Sequence, residues 1–332
     1  MTTAAARVWR PQARRGVGRK RSSGALAFYG FISPWLIGTV LLALFPLGYA
    51  LYISFTNWDG LTQAKPWAGL ANYREVFSSP DTWSSLYRTA LLIIFVVPAT
   101  IIGSLVLALF LNERVRGRVV FRTLIYIPAI IPPVASALIW KDIFATNTGA
   151  ANRFLALFGI NAVSWLIGSH AFQAVVVMML WALAAGIIID LAVLQTVDVE
   201  QLQAAKIDGA NMFLSFRHVT LPAISPVLLV QTVVVLIATL QTFVPAILLS
   251  PASAQNATQG GTIGLVPKSN TFYMLNVYQQ FFAYSRYGFG SAMIIVFFLF
   301  ILLLTGVVFK VFGRNVYYAV DPTENNRKAR RR

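Results

Sequence analysis

The residues of this 332-residue chain whose types could do chemistry are arranged for recognition and not for bond-making. There is no cysteine, which excludes a disulfide framework and any thiolate metal site. No phosphate-cradling G-x-x-x-x-G-K-[ST], no H-E-x-x-H and no G-x-S-x-G is present, so nucleotide hydrolysis, zinc hydrolysis and serine acyl transfer lack their residues. What remains is polar groups inside long apolar runs. Gln231, Thr239, Gln241 and Thr242 fall within about half the circumference of a helix at about 100° per residue, a polar side suited to hydroxyl-rich solutes. The competing reading has the same groups bonding neighbouring helices. Asp190 is the one carboxylate inside an apolar run, about one turn from its end, which implies that it snorkels to the interface.

A second group of polar residues forms an island between two apolar runs, from Asp198 to Pro226. Asp198 with Gln201 predicts a helix start, and Gly209 sits where a C-terminal cap would stop it. Met212, Phe213, Phe216 and Val219 recur at helical spacing and predict a second short helix, and Pro222 suits the first turn of a third. The product is a helix–turn–helix knob with one apolar side. Ala204 and Ala205 allow close approach, Gly209 permits the reversal, and Met212, Phe213 and Phe216 offer apolar anchors. Glu200 and Asp208 either pair with a basic partner or cap locally.

The elements that must carry these groups are membrane spans. Hydrophobic residues make up 57% of the chain and charged residues 11%, a mix foreign to a soluble domain of this size. Apolar runs predict six transmembrane helices, near 26–55, 90–111, 119–140, 171–194, 222–249 and 289–312. The first follows a positive segment but is too long for a signal peptide and has no small-residue cleavage site. The aromatic connection 56–88 and an amphipathic segment within 250–288 are expected along the outer interface, and 149–168 as a short interfacial helix. The fold class is therefore all-α integral membrane, with residues 1–25 and 314–332 as basic tails around a 26–313 membrane domain.

The net charge of +16 sits mainly in those tails and short loops. With so much apolar sequence between them, the basic runs fit an anionic membrane face and not a nucleic acid. Of the 27 Lys and Arg residues, twenty fall on the side of both termini and the Asp198–Pro222 loop and seven on the other, which predicts that side to be cytoplasmic. His170 and His218 then lie on opposite sides and share no site.

The stretch QAAKIDGANMFLSFRHVTLP resembles the EAA loop of permease subunits of binding-protein-dependent ABC importers, most like the carbohydrate and glycerol-3-phosphate branch. Ala204, Ala205, Asp208, Gly209, Ala210, Phe216 and Pro222 match that pattern, and Gln203 stands where the family usually has glutamate. GLANYREVF and RTLIYIPAIIPPVASALIW resemble further segments of the same permeases. The resemblance implies a bacterial inner-membrane subunit that has no nucleotide site, with ATP and Mg bound by two partner ATPases. It further implies a second, different permease subunit, an extracytoplasmic solute-binding protein, a carbohydrate-like substrate and alternating access driven through the loop. Asp190 then has a second reading, a gating ion pair with the partner permease. A self-sufficient secondary transporter or channel is the rival class; it usually shows ionisable groups deep in its spans or inverted repeats, and only Asp190 answers to that here.

Overall fold

The computed structural model describes residues 21–113, 117–250 and 266–313. Both basic tails beyond these limits and the Ser/Ala/Asn/Gly-rich segment 251–265 lie outside the described residues. The chain divides into two units, Met1–Ala50 and Leu51–Arg332, a division that falls inside the span expected to be one membrane domain. The described part of the first holds α1 (Arg21–Thr39), a π-helical turn at Val40–Leu44 and the start of α2 (Phe45–Ser54). Phe28 to Ser54 is long and apolar enough to cross a membrane.

In the second unit α3 (Ala71–Ser78) and α4 (Pro80–Asn112) follow. The spacing predicts a span from about residue 90, but the helix starts ten residues earlier, within the expected interfacial connection. Ser79-Pro80-Asp81 is the reason. The Ser79 hydroxyl accepts from the Thr82 N–H at 3.4 Å, Pro80 needs no donor in the first turn, and Asp81 faces the positive end of the dipole. Within the same connection, Asn72 and Tyr73 tie α3 to the end of α2. Asn72 Nδ2 donates to the Ser54 and Thr56 carbonyls, and the Tyr73 and Ser54 hydroxyls are 2.6 Å apart.

The expected third span is two helices, α5 (Arg118–Ile130) and α6 (Pro133–Ile143), bent by 101° at the break. Ile131 and Pro132 each precede a proline, and steric contact with the following ring excludes the helical region for both. Their ψ values of 126° and 144° are extended accordingly. Among the described residues there are five helices long and apolar enough to cross a membrane, Phe28–Ser54, Pro80–Asn112, His170–Leu194, Met212–Leu240 and Tyr287–Phe312, or six spans if the bent pair is counted as one.

Between the bent pair and the next span lies α7 (Ala150–Ala156), the short helix expected there. Its loop is held by Asn152, whose Nδ2 donates to the Thr146 and Val163 carbonyls while Oδ1 accepts from the Val163 N–H and the Trp165 indole. All four bonds are 2.9–3.0 Å and the residue is 7% exposed. Asn152→Ala leaves buried backbone groups unpartnered at about 1–3 kcal/mol each, so a thermal midpoint lowered by the equivalent of about 3 kcal/mol is expected in detergent.

The remaining elements are α8 (His170–Trp181), α9 (Ala184–Leu194), α10 (Val199–Ile207), α11 (Met212–Ser215), α12 (Leu221–Leu240), α13 (Val244–Leu248), α14 (Tyr273–Phe282) and α15 (Tyr287–Phe312). The expected fifth span ends at Leu240 and not Leu249: Gln241 caps it, Phe243 leaves helical geometry and Pro245 opens α13. The amphipathic α14 is not a surface helix. Tyr273, Leu275, Asn276, Val277 and Gln279 are buried, Thr89 accepts from the Tyr273 N–H at 2.9 Å, and the Tyr273 hydroxyl donates to the Met293 carbonyl at 3.0 Å.

Three apolar clusters fill this unit, and α4 contributes to each. Leu92 and Val96 pack with α6, α8 and α13; Val97 with α3, α12, α14 and α15; Leu105, Ala108 and Leu111 with α9 and α12. The helix is thus the axis of the bundle. Arg122 of α5 donates to the Leu111 carbonyl at 3.0 Å, satisfying one of the acceptors that the end of α4 leaves open.

Candidate functional site

The predicted knob stands between α9 and α12. Asp198 Oδ1 accepts from the Glu200 N–H at 2.9 Å and starts α10. At the other end Gly209 has φ +80°, its N–H donates to the Lys206 carbonyl and the Ala210 N–H to that of Ala205, a pair of bonds that closes a helix through a left-handed residue. Asn211 then caps α11 through the Leu214 N–H at 2.9 Å. The first helix and its glycine stop lie where the sequence reading puts them, although Asp198 caps through the Glu200 N–H and not through Gln201.

Sequence reading and structure part at the second helix. It does not stop before Pro222; Met212 to Leu240 is one helix of 29 residues. A π-helical turn at Phe216–Thr220, closed by the Leu221 N–H on the Phe216 carbonyl, widens the helix just before Pro222, where an ordinary turn would press the ring against a carbonyl. The knob is therefore rigidly continuous with a span.

Exposure sorts the predicted anchors. Met212 and Phe213 are 77% and 66% exposed, and Glu200, Gln203, Ala204, Asp208 and Gly209 are also at the surface. Ala205 and Ala210 are half-buried, and Phe216 turns inward onto the cluster of Leu105, Ile187 and Leu194. Ile207, 87% exposed, joins Met212 and Phe213 as an apolar residue that sequence reasoning passed over. An apolar residue in the last turn before a glycine cap was the available signal. A groove of about 670 Å³ is lined by Leu109, Leu194 and Val197 together with Met212, Phe213 and Phe216 of the knob itself.

The polar residues of the spans do not form one lining. Thr239 is buried and donates back to the Val235 carbonyl of its own helix at 2.8 Å; Thr242, buried just past the helix end, donates to the Ala238 carbonyl at 3.3 Å and reaches Met179 Sδ of α8 at 3.9 Å, while Gln241 is exposed at the helix end. Gln231 is buried and its Nε2 donates to Ser104 Oγ at 3.3 Å. Asp190 has no exposed surface, and its Oδ2 accepts from Ser104 Oγ at 2.6 Å. The snorkelling expected of Asp190 is thus replaced by burial, because Ser104 of α4 supplies a donor at that depth. Its enclosure within this chain also leaves no face for an ion pair with another subunit. No group of three or more metal-ligating side chains occurs among the described residues.

Residues 99–317 match the family described as binding-protein-dependent transport system inner membrane component. The chain belongs to this family. The probable ABC transporter permease protein YesP of Bacillus subtilis is 33% identical over 297 residues, covering 88% of this chain and 92% of that one. The trehalose/maltose transport system permease protein MalF of Thermococcus litoralis is 32% identical, covering 85% and 92%. A crystal structure of a bacterial alginate ABC transporter with its pentasaccharide-bound periplasmic protein contains a chain of the same fold. The TM-score is 0.73, covering 90% of this chain and 98% of that one at 20% identity.

As an ABC importer permease, the chain is a multi-pass inner-membrane subunit and a transporter component in its own right, and its knob is the segment in which the EAA resemblance resides. Of the polar residues considered for function, those of the knob are exposed, whereas Asp190 and Gln231 meet Ser104 in a closed junction. Ser104 was missed from sequence. Its signal is the small-residue spacing Thr100, Ser104, Ala108 along α4, the pattern by which spans approach closely.

Proposed function

We propose that this permease carries a carbohydrate-like solute inward by alternating access, driven by two cytoplasmic ATPase subunits that bind ATP and Mg and grip the knob. A second, homologous permease subunit completes the pathway and an extracytoplasmic solute-binding protein delivers the solute. Both termini and the knob face the cytoplasm. The carrying observation is the exposed triad Ile207, Met212 and Phe213 around a glycine-closed turn, the last two on a helix continuous with a span. Large apolar side chains that stand out of a folded surface are anchors for a partner's cleft. The naming of the relatives for trehalose, maltose, arabinooligosaccharides and glycerol-3-phosphate supports the solute class. Gln241, at an exposed helix end, is the pathway residue best placed to meet a solute hydroxyl.

The test is co-purification from the native membrane with and without Met212→Asp and Phe213→Asp. The double variant is expected to insert and keep the second permease while losing the ATPase. A chain that purifies alone and transports without ATP would instead be a self-sufficient transporter.

A further inference from the structure

We propose that Asp190 is a positioning residue: with Ser104 and Gln231 it forms a lock through which α9 and α12, the helices entering and leaving the knob, move as one body with α4. This rests on the reading of the knob as the ATPase-gripped element.

Asp190 lies four residues before the end of α9 at Leu194. Its carboxylate takes the Ser104 hydroxyl of α4, and that hydroxyl takes the Gln231 amide of α12, so three helices meet in one chain of two hydrogen bonds. Gly186, one turn back on α9, makes room for it. A Cβ there would lie 2.5 Å from Gln231 Nε2 and 3.0 Å from Ser104 Oγ. The surrounding contacts of Leu105, Ala108, Ile187 and Leu191 are apolar. Apolar contacts are non-directional and permit neighbouring helices to slide or roll, whereas a hydrogen bond at 2.6 Å selects one rotation.

A buried carboxylate is a costly way to fill space. An apolar side chain of similar volume would pack there without desolvation, so the group earns its place through the geometry it imposes. The bonding is also incomplete: Asp190 Oδ1 and Gln231 Oε1 are both buried and have no hydrogen-bond partner. A half-satisfied junction is held by few bonds, and removing the one at Asp190 releases α9 from α4 and α12.

Because this chain has no cysteine, two introduced ones are its only label sites, and the partner subunits are used in cysteine-free form. Phe110→Cys on α4 and Thr196→Cys just beyond α9 are both exposed and take spin labels in the assembled importer in nanodiscs. The label–label distance is measured without nucleotide and after trapping with ATP and vanadate. With Asp190 in place it is expected to stay the same in both states; with Asp190→Leu it is expected to differ between them while ATP hydrolysis continues. Asp190→Asn keeps an acceptor for Ser104 and offers a donor to Gln231 Oε1, so it is expected to restore the constant distance, a rescue that a space-filling role would not produce. ATPase retention is read in the same preparations. An ATPase that is retained while Asp190→Leu leaves the distance constant overturns the lock alone. An unmodified chain that retains no ATPase overturns the docking and the lock together.

Discussion

Gly288→Ala is expected to prevent the folded permease from accumulating. A Cβ at this position would overlap the Thr56 carbonyl oxygen and lie 3.0 Å from its carbon and 3.2 Å from the Trp58 nitrogen. All three are backbone atoms, which cannot swing aside as a side chain would. They are also held from behind, since Asn72 Nδ2 donates to the Thr56 carbonyl and the Gly288 N–H donates to that of Trp58. Overpacking by a methyl group into a rigid wall costs at least about 1–3 kcal/mol, and here the yielding element is the junction of α15 with the 56–58 segment. The monodisperse fraction after detergent extraction and the thermal midpoint measure it. Gly306→Ala on the same helix meets nothing within 4 Å and serves as the control, with a gain of about 0.5–1 kcal/mol expected from helix propensity. Equal midpoints for the two variants would rule out the close approach at Thr56.

Gly209→Val is expected to spare folding and weaken coupling about tenfold. Nothing lies within 4 Å of the Cβ it would carry, so the whole penalty is in the backbone, where φ is +80°. A branched side chain in the left-handed region costs about 1–2 kcal/mol, enough to unmake the paired bonds from Gly209 and Ala210 that close α10. The anchors Ile207 and Met212 flank that turn and lose their relative placement. A fall of about tenfold in retained ATPase is the corresponding outcome, with insertion and thermal midpoint little changed. Gly209→Asn, which tolerates the left-handed region, is expected to retain most of the ATPase. If valine and asparagine behave alike, the turn geometry is not what the partner reads.

Local signals carried far in this chain, and long-range ones did not. Asp198 and Gly209 act within a turn of themselves, and the knob's first helix could be read from them directly. Apolar run length likewise located the spans. The errors came where a proline or a cap contradicted hydropathy: two consecutive prolines turned one apolar run into α5 and α6, and Ser79-Pro80-Asp81 started α4 inside an aromatic segment. The partner of Asp190 lies 86 residues away on another helix, and nothing in the spacing of either residue announces the other. Burial of α14 was hidden for the same reason, since an amphipathic helix has the same pattern whether its apolar face meets lipid headgroups or α4 and α15.

The unbroken helix from Met212 to Leu240 has a mechanical consequence. Gln231 pins it part-way along, roughly 28 Å from Met212 and 14 Å from Leu240 at 1.5 Å per residue. On the proposed lock the helix is tied there to α4 and α9, so a push on the knob would travel along the whole span as part of one body, without a change of direction. The helix ends at Gln241, where the chain breaks before α13, and that break is where the transmitted displacement would stop.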